Sequence, residues 1–165
     1  MTVYVGLGGN MGDSAALFAQ ALRDLEEAGL WRVQAVSRLW RSPAWGFEGP
    51  EFRNAVAVVE TDQQPQALLR AMLDFEARAG RQRGPSMGSR PIDLDLLAWE
   101  GLSVDEPGLT LPHPGTPTRR FVLEPFAELA PQLELAVLGR VDRLLELERQ
   151  RDPNCWPIEQ SWWTA

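Results

Sequence analysis

Two carboxylates and a run of arginines lie side by side in the segment GRQRGPSMGSRPIDLDLL, residues 80–97. Residues 78–90 hold four arginines and no acid, and Asp93 and Asp95 follow at once. Side chains two positions apart on a strand point to the same face, so a strand over 92–97 would place both carboxylates together. Two adjacent acids repel each other unless a cation lies between them, and oxygen ligands suit Mg²⁺. The alternative is a solvated polar face of a sheet.

The neighbouring arginines favour the metal site. The planar guanidinium binds phosphate through paired, charge-assisted hydrogen bonds, so arginines beside a carboxylate pair supply both halves of a phosphoryl-transfer site. All sixteen basic residues of the chain are arginine. Because a P-loop and a protein-kinase site both need a lysine, neither is possible in its usual form. The sequence therefore predicts a different kind of phosphoryl-transfer site.

Other segments have the residue types of a pocket for a flat ligand. GLGGNMG, residues 6–12, lacks the spacing of a dinucleotide fingerprint and the acid about twenty residues later that a fingerprint needs. Its glycines could instead let the backbone approach a flat ring, with Asn10 adding hydrogen bonds, or could simply form a strand-to-helix turn. Asn54 lies within an apolar strand pattern and must find partners if buried. Trp45, in a loop, is either a ligand platform or a hydrophobic plug.

The local patterns predict the elements that hold these groups. Strands are expected over residues 2–8, 31–41, 53–60 and 92–99, and helices over 15–29 and 66–79. The order βαββαβ is the ferredoxin-like α+β arrangement, an antiparallel sheet with both helices on one face and the other face left for a ligand. An extended segment near 109–112 and helices near 118–129 and 139–150 follow as C-terminal additions. A tail of about 151–165, rich in tryptophan, is expected to pack on the body, and we assign it no role.

Composition limits the class of protein. The length of 165 residues suits one domain, expected to span 1–165. A net charge of -7 argues against nucleic acid or an anionic membrane as the main partner, and no apolar run approaches the length of a membrane span. The N-terminus lacks the pattern of a signal peptide, and a single cysteine fits a reducing compartment, so a cytoplasmic protein is expected.

The chain resembles 6-hydroxymethyl-7,8-dihydropterin pyrophosphokinase, an enzyme family of folate biosynthesis. The stretches that carry the resemblance are YVGLGGNMGD, RSPAWGF with FRNAVAVVET, GRQRGPSMGSRPIDLDLL and LTLPHPGTPTRRFVLEPFAELAP. Their order and spacing extend the resemblance over residues 3 to about 131. The resemblance implies the ferredoxin-like fold and transfer of pyrophosphate from ATP to the pterin hydroxymethyl group with release of AMP. We expect the protein to be a monomer. A ferredoxin-like module that binds a nucleotide without catalysis is the alternative.

The resemblance also implies the site residues by position. Asp93 and Asp95 would bind two Mg²⁺ ions. The catalytic set would be Arg81, Arg90, Asp93 and Asp95. The ATP contacts would be Glu76, Arg83, Arg90, Thr110, His113 and Arg119. The pterin contacts would be Gly8, Asn10, Ser42, Pro43, Trp45, Phe52, Asn54 and Phe121.

The chain departs from the family pattern at several of these places. Better-known members read R-W-G-P-R where this chain has Ser86 to Arg90, so Met87 replaces a tryptophan. Gly108 stands where some members have an arginine that contacts ATP, and Phe52 replaces a common tyrosine. These changes predict weaker ATP contacts or a different geometry of the closed loop, with activity retained.

Overall fold

The computed structural model describes residues 1–44, 46–80 and 88–165. The first part of the chain forms β1 (Thr2–Gly9), α1 (Ser14–Glu27), β2 (Arg32–Val36), β3 (Leu39–Ser42), β4 (Phe52–Glu60), α2 (Pro65–Arg78) and β5 (Asp93–Trp99). The second part forms β6 (Val104–Glu106), β7 (Leu109–Leu111), a 3₁₀ turn (Thr116–Thr118), α3 (Arg120–Leu129), β8 (Glu134–Leu135), β9 (Gly139–Arg140), α4 (Val141–Arg151) and β10 (Trp156–Ile158). The described residues thus form a mixed α/β structure.

The main sheet is antiparallel and has the strand order β10-β3-β4-β1-β5, with β2 also paired to β4. The central strands are therefore β4 and β1, and β5 lies beside β1. Two small hairpins, β6-β7 and β8-β9, stand apart from it. The predicted antiparallel sheet is confirmed.

The segment 31–41, predicted as one strand, is two strands. The break lies at Ser37, whose hydroxyl oxygen accepts a hydrogen bond from the backbone N–H of Val56 at 2.9 Å. The backbone N–H of Ser37 in turn donates to the carbonyl oxygen of Val56 at 2.9 Å. The Ser37 hydroxyl thus replaces a backbone carbonyl as one acceptor between the strands. β2 and β3 pair with separate stretches of β4.

The first face of the sheet is covered by α1 and α2. Asp13 begins α1, since its carboxylate accepts from the backbone N–H of Ala16 at 3.1 Å, and Pro65 begins α2 at a position where no N–H is needed. The buried residues Ile92, Leu94 and Leu96 join this core. These apolar side chains turn inward, whereas Asp93 and Asp95 between them face the other side of the sheet.

The second face is not left wholly for a ligand, as the two-helix arrangement predicted. Tyr4, Val56 and Leu97 on this face pack against Leu123 and Phe126 of α3, and α4 packs on α3. We call this part, covered by α3 and α4, the covered half. The prediction is wrong there, because α3 carries enough apolar side chains to bury this surface. The uncovered remainder, around Gly8 and Asp95, is the open half.

The C-terminal tail packs on the body, as predicted, and extends the sheet. Trp156 to Ile158 pair with Arg41 to Leu39 along the outer edge of β3. The indole N–H of Trp162 donates to the carbonyl oxygen of Ser37 at 2.8 Å, and its ring meets that of Phe18 edge-on. The tail therefore covers the edge strand, which would otherwise expose unpaired backbone groups.

None of the helices in the described part of the chain is both long and apolar enough to cross a membrane.

Candidate active site

The strand register brings glycines and carboxylates together in the open half. On one side of β1, Gly8 pairs with Asp93 and Gly6 pairs with Asp95. On the other side, Gly8 pairs with Asn54 of β4. Because the two glycines carry no side chains, the two carboxylates and the amide border a common open space. The prediction that Asp93 and Asp95 share a face is confirmed.

A cleft lies over this part of the sheet, between the loop that follows β3 and the start of α3. Ten of the predicted site residues line it: Gly8, Ser42, Pro43, Phe52, Asn54, Arg90, Asp93, Asp95, Arg119 and Phe121. They come from five separate parts of the chain, spaced over more than a hundred residues. The structure therefore gathers into one cavity residues that the resemblance had assigned to two ligands.

Arg90 joins the carboxylate side of the cleft to the aromatic side. One of its terminal nitrogens, Nη1, lies 3.3 Å from Oδ2 of Asp93, and its guanidinium lies over the Phe52 ring, 5.8 Å from the centroid. The Phe47 ring meets Phe52 edge-on, at 6.0 Å between centroids. The guanidinium is thus held by an ion pair and by the face of an aromatic ring, which fixes a cation beside the carboxylates.

Asn54 supplies a buried amide with unused hydrogen-bonding capacity. Its side-chain nitrogen Nδ2 is buried and has no hydrogen-bond partner among the described residues. A buried amide left in this state costs free energy, so a ligand acceptor in the cleft would stabilise it. The close position of Gly8 preserves this arrangement: a Cβ atom there would lie 2.9 Å from Oδ1 of Asn54.

His113 lies beside the charged groups, in surroundings that favour the neutral imidazole. Burial lowers the pKa of its imidazole, and Arg119 lowers it further, whereas Asp93 raises it. Its Nδ1 accepts a hydrogen bond from the backbone N–H of Gly115 at 3.0 Å. The proton of the neutral ring is therefore on Nε2, which can donate to an anionic ligand.

Besides His113, three of the described predicted site residues do not line the cleft. Glu76 is buried, and its Oε1 accepts from the backbone N–H of Leu94 at 2.6 Å, between the two aspartates. Thr110 is exposed on β7, opposite Asp105. Asn10 is buried behind the cleft and bonds to protein groups.

Several predictions fall outside the residues that the structure describes. These are Arg81 and Arg83 as phosphate contacts, Trp45 as a stacking residue, and the departure at Met87. Gly108, by contrast, is described: it lies in the β6-β7 turn with a φ of 81°, a backbone conformation that favours glycine. An arginine at this position would strain the turn.

The structure also adds residues that the sequence reasoning missed. Gly6, Leu7, Phe47, Ala55, Val56 and Val122 line the cleft as well. Two signals could have indicated some of them: Gly6 is two residues from Gly8 on the same strand face, and Phe47 belongs to the aromatic-rich segment AWGF. The rest depend on pairing between distant strands.

The residues present fit a hard divalent cation that is completed by a ligand. Asp93 and Asp95 put two carboxylates on one side of the open cleft, and Mg²⁺ is usually bound by one or two carboxylates plus water and phosphate oxygens. Within the described ranges no three His, Cys, Asp or Glu side chains are grouped so that they could hold a metal ion. The donor set is therefore suited to a cation that arrives with a phosphate ligand.

Comparison with known proteins shows the family of the chain. The sequence profile of the 7,8-dihydro-6-hydroxymethylpterin-pyrophosphokinase family matches residues 4–131. Among curated relatives, the 2-amino-4-hydroxy-6-hydroxymethyldihydropteridine pyrophosphokinase of Methylorubrum extorquens is 44% identical over 131 residues, which cover 79% of this chain and 83% of the relative. The Aquifex aeolicus protein of the same name is 35% identical over 93% of this chain and 96% of its own length. The chain belongs to this pyrophosphokinase family.

Solved structures share the fold. A Plasmodium falciparum HPPK-DHPS triple mutant crystallised with STZ-DHP superposes with a TM-score of 0.71 at 14% identity, over 95% of this chain. The match covers 45% of that longer chain, so this protein spans less than half of its length. The likeness at this identity concerns the fold alone.

Proposed function

We propose that this protein transfers pyrophosphate from ATP to the hydroxymethyl group of 6-hydroxymethyl-7,8-dihydropterin, giving AMP and the pterin diphosphate for tetrahydrofolate biosynthesis. The observation that carries the proposal is the composition of the cleft. A cation and two carboxylates, Arg90 with Asp93 and Asp95, face one end of it. An amide with unused capacity, Asn54, lies at the other end beside aromatic rings.

The second end suits the pterin. The edge of a pterin ring presents hydrogen-bond acceptors and donors, which Asn54 can pair, and its faces suit stacking on an aromatic ring such as Phe121. Gly8, Ser42, Pro43 and Phe52 line the same space. Asn10 and Trp45 complete the assigned pterin contacts. The amide would supply specificity and the apolar wall would supply affinity.

The first end suits the triphosphate. Arg90 and Arg119 line the cleft, and the neutral His113 offers an N–H beside them. Charge-assisted hydrogen bonds from such donors position phosphate oxygens and neutralise their charge. Arg81 would join Arg90 in the catalytic set. Glu76, Arg83 and Thr110 complete the assigned ATP contacts, although Glu76 acts from behind β5, where it fixes the backbone between the aspartates.

Two Mg²⁺ ions are expected with ATP, and Asp93 and Asp95 would hold them. Bound there, the metal would supply charge neutralisation at the transferred phosphoryl group and at the acceptor hydroxyl. The chain itself binds the two substrates in one cleft, orients them through Asn54 and the arginines, and excludes water with the loops on either side. Positioning and electrostatic stabilisation are the main protein contributions to this class of reaction.

We further propose that the unit from β1 to β5 is ferredoxin-like, with α3 and α4 added to it. The order of its strands along the sheet and the position of α1 and α2 on one face support this. We propose that residues 1–165 form one domain of a cytoplasmic monomer that binds neither nucleic acid nor membrane. The acidic composition, with its net charge of -7, supports the last point.

The test is a product assay with MgATP and 6-hydroxymethyl-7,8-dihydropterin, in which nucleotides and pterins are separated by chromatography. AMP and a pterin diphosphate should appear in equal amounts. Appearance of ADP would mean that a different phosphorus is attacked. Binding of ATP without any product, under conditions where a relative from the same family turns over, would favour the non-catalytic nucleotide-binding module.

A further inference from the structure

Gly115 lies between two groups on the phosphate side of the cleft, His113 and Arg119. Its backbone N–H donates to Nδ1 of His113 at 3.0 Å, and its carbonyl oxygen accepts from the backbone N–H of Thr118 at 3.3 Å. The 3₁₀ turn brings Arg119 back beside it, since the backbone N–H of Arg119 donates to the carbonyl oxygen of Thr116 at 3.3 Å. The backbone of Gly115 is therefore held on both sides.

The guanidinium of Arg119 occupies the space where a side chain at position 115 would begin. A Cβ atom on Gly115 would lie 2.8 Å from Cζ, 2.9 Å from Nε and 3.1 Å from Nη2 of Arg119. Carbon atoms in nonbonded contact are normally about 3.5–4.0 Å apart, so a methyl group and this guanidinium cannot share the space. The backbone of Gly115, with a φ of -78° and a ψ of -12°, is close to that of a 3₁₀ helix, which L-residues adopt. Glycine is thus needed here for space and not for backbone conformation.

Arg119 differs from its neighbour Arg120 in what its guanidinium contacts. Arg120 donates to a carboxylate oxygen of Glu124 at 2.9 Å and to the carbonyl oxygen of Asp152, which binds it to the scaffold around α3 and α4. Arg119 lines the cleft, and within the described ranges its guanidinium forms no ion pair or hydrogen bond with the protein. The packing over Gly115 therefore restricts the position of a cation whose donors are available to a ligand.

We propose that Gly115 is a positioning residue for the phosphate side of the cleft: because it has no side chain, the Arg119 guanidinium can lie near His113, and both can donate to one anionic ligand. The proposal rests on the proposed function in taking that anion to be the triphosphate of ATP. A guanidinium whose position is already restricted loses less side-chain freedom when the ligand binds. Filling the space over Gly115 should therefore weaken binding through Arg119 alone.

Gly115→Ala tests the proposal directly. The end of the Arg119 side chain must move, because it is flexible and the backbone of residue 115 is held on both sides. We expect the dissociation constant of a non-hydrolysable ATP analogue with Mg²⁺ to rise about tenfold, as for loss of a charge-assisted hydrogen bond. In an Arg119→Ala background the same change should have an effect of less than about twofold, since no guanidinium remains to be displaced. Calorimetry on the wild type, the two single variants and the double variant completes the cycle.

The titration of His113 gives a second measurement that needs no nucleotide. It is the only histidine of the chain, so NMR can follow its ring protons as pH is varied. Burial lowers the pKa of His113, and Arg119 lowers it further, whereas Asp93 raises it. Displacing the guanidinium in Gly115→Ala should therefore raise this pKa, as should Arg119→Ala. Once Arg119 is removed, Gly115→Ala should not change the pKa further.

Thr118→Ala is the matched control. It removes a bond of 3.4 Å from the Thr118 hydroxyl to the Gly115 carbonyl oxygen, so it alters the same turn, but it adds no atom over Gly115. The affinity for the analogue and the pKa of His113 should both stay as in the wild type.

Unchanged affinity in Gly115→Ala, or a loss that persists in the Arg119→Ala background, would overturn the proposal. An unchanged His113 pKa would do the same. A large loss of thermal stability in Gly115→Ala would also count against it, because the backbone conformation suits alanine and only a flexible side chain should have to move. If the wild-type protein does not bind the analogue at all, the proposed function fails, whereas the His113 titration still decides the position of Arg119.

Discussion

The covered and open halves of the second sheet face lie on the same three strands, β1, β4 and β5. On each strand, a residue of the covered half and a residue of the open half are two positions apart. In β1, Tyr4 lies under α3, whereas Gly6 and Gly8 line the cleft. In β4, Val56 is shared by the buried cluster and the cleft wall, and Asn54 stands two residues before it. The strands run through both halves, and the pairing of β1 with β5 shifts register between Tyr4 and Val5, where the halves meet. The covered half carries large apolar side chains that pack against α3, whereas the open half carries glycines and polar side chains.

Ion pairs as well as apolar packing hold α3 and α4 together over the covered half. Glu124 of α3 is 2% exposed and binds the guanidinium of Arg149 of α4 through two hydrogen bonds of 2.8 Å. Arg120 adds a third contact at 2.9 Å. Burial alone would raise the pKa of the Glu124 carboxyl, but the two arginines hold it below its ordinary value. The ion pairs keep α4 on α3 and away from the cleft. The cleft is therefore the part of the second sheet face that α3 and α4 do not cover.

The largest effect should follow from removing charge in the open half. Asp95→Asn keeps the size of the side chain but loses a carboxylate that is expected to hold metal. Turnover should fall roughly a thousand-fold, since metal coordination supplies several kcal/mol of transition-state stabilisation. Initial rates at saturating MgATP check this, and Asp105→Asn, at an exposed carboxylate on β6, is the matched control. Retention of more than a tenth of the wild-type rate would contradict the assignment of this residue.

The covered half should respond in stability and not in substrate affinity. Phe126 is 0% exposed, and its ring lies 5.2 Å from that of Tyr4 between centroids. Phe126→Ala should lower the free energy of unfolding by about 3–5 kcal/mol, because it removes buried area and leaves a cavity. Urea denaturation measures the change. KM for both substrates, taken where the variant is folded, should remain within about threefold. A larger shift of either KM would show that the two halves are not independent.

A smaller effect is expected where the open half depends on the absence of a side chain. In Gly8→Ala the new Cβ would lie 2.9 Å from Oδ1 of Asn54, so the amide must move. KM for the pterin should rise about tenfold through loss of the amide's hydrogen bond to the ligand, and ATP affinity should change little. Steady-state kinetics with each substrate varied in turn separate the two. A rise in KM for ATP alone would place Asn54 on the wrong side of the cleft.

The smallest effect is a titration that reports on the covered half alone. Tyr4 is the only tyrosine of the chain, and burial, with a hydrogen bond to Glu100, raises its pKa to about 12. Because the ordinary value of 10.0 is lower, the unfolded chain loses this proton first as pH rises. The stabilising contribution is therefore complete below pH 10 and is lost as pH rises towards 12.

Ultraviolet absorbance of the phenolate follows this single group. The midpoint of the Tyr4 titration should lie near pH 12 in the folded wild-type protein. In the double variant Glu100→Gln/Phe126→Ala, which loses the hydrogen bond and weakens the packing of α3 on Tyr4, it should return to about pH 10. A folded wild-type protein whose midpoint is already at the ordinary value would mean that α3 does not shield this half.

The sequence by itself determined most of the elements and the chemistry of the site. The alternation in IDLDLL predicted both the strand and the common face of the two aspartates, because a strand has only two faces and the apolar residues must occupy the buried one. Asp13 precedes the first residue of α1 and Pro65 is the first residue of α2, positions that favour these residue types. The family motifs named ten of the residues that line the cleft, and their contacts with the substrates stay predictions.

Only the tertiary structure decided which of these residues are buried, which line the cleft and which bond to other parts of the protein. Whether the second face is covered depends on α3 and α4 returning to it, a contact between residues distant in sequence that no local pattern encodes. The break at Ser37 depends on a hydrogen bond to Val56, a strand residue 19 positions away. The sequence predicts Asn10 as a ligand contact. In the structure its side-chain amide is hydrogen-bonded to Pro50, Ser89 and Arg90, which come together only in the folded chain. Local periodicity fixes which face a side chain takes, and long-range pairing fixes what it meets there.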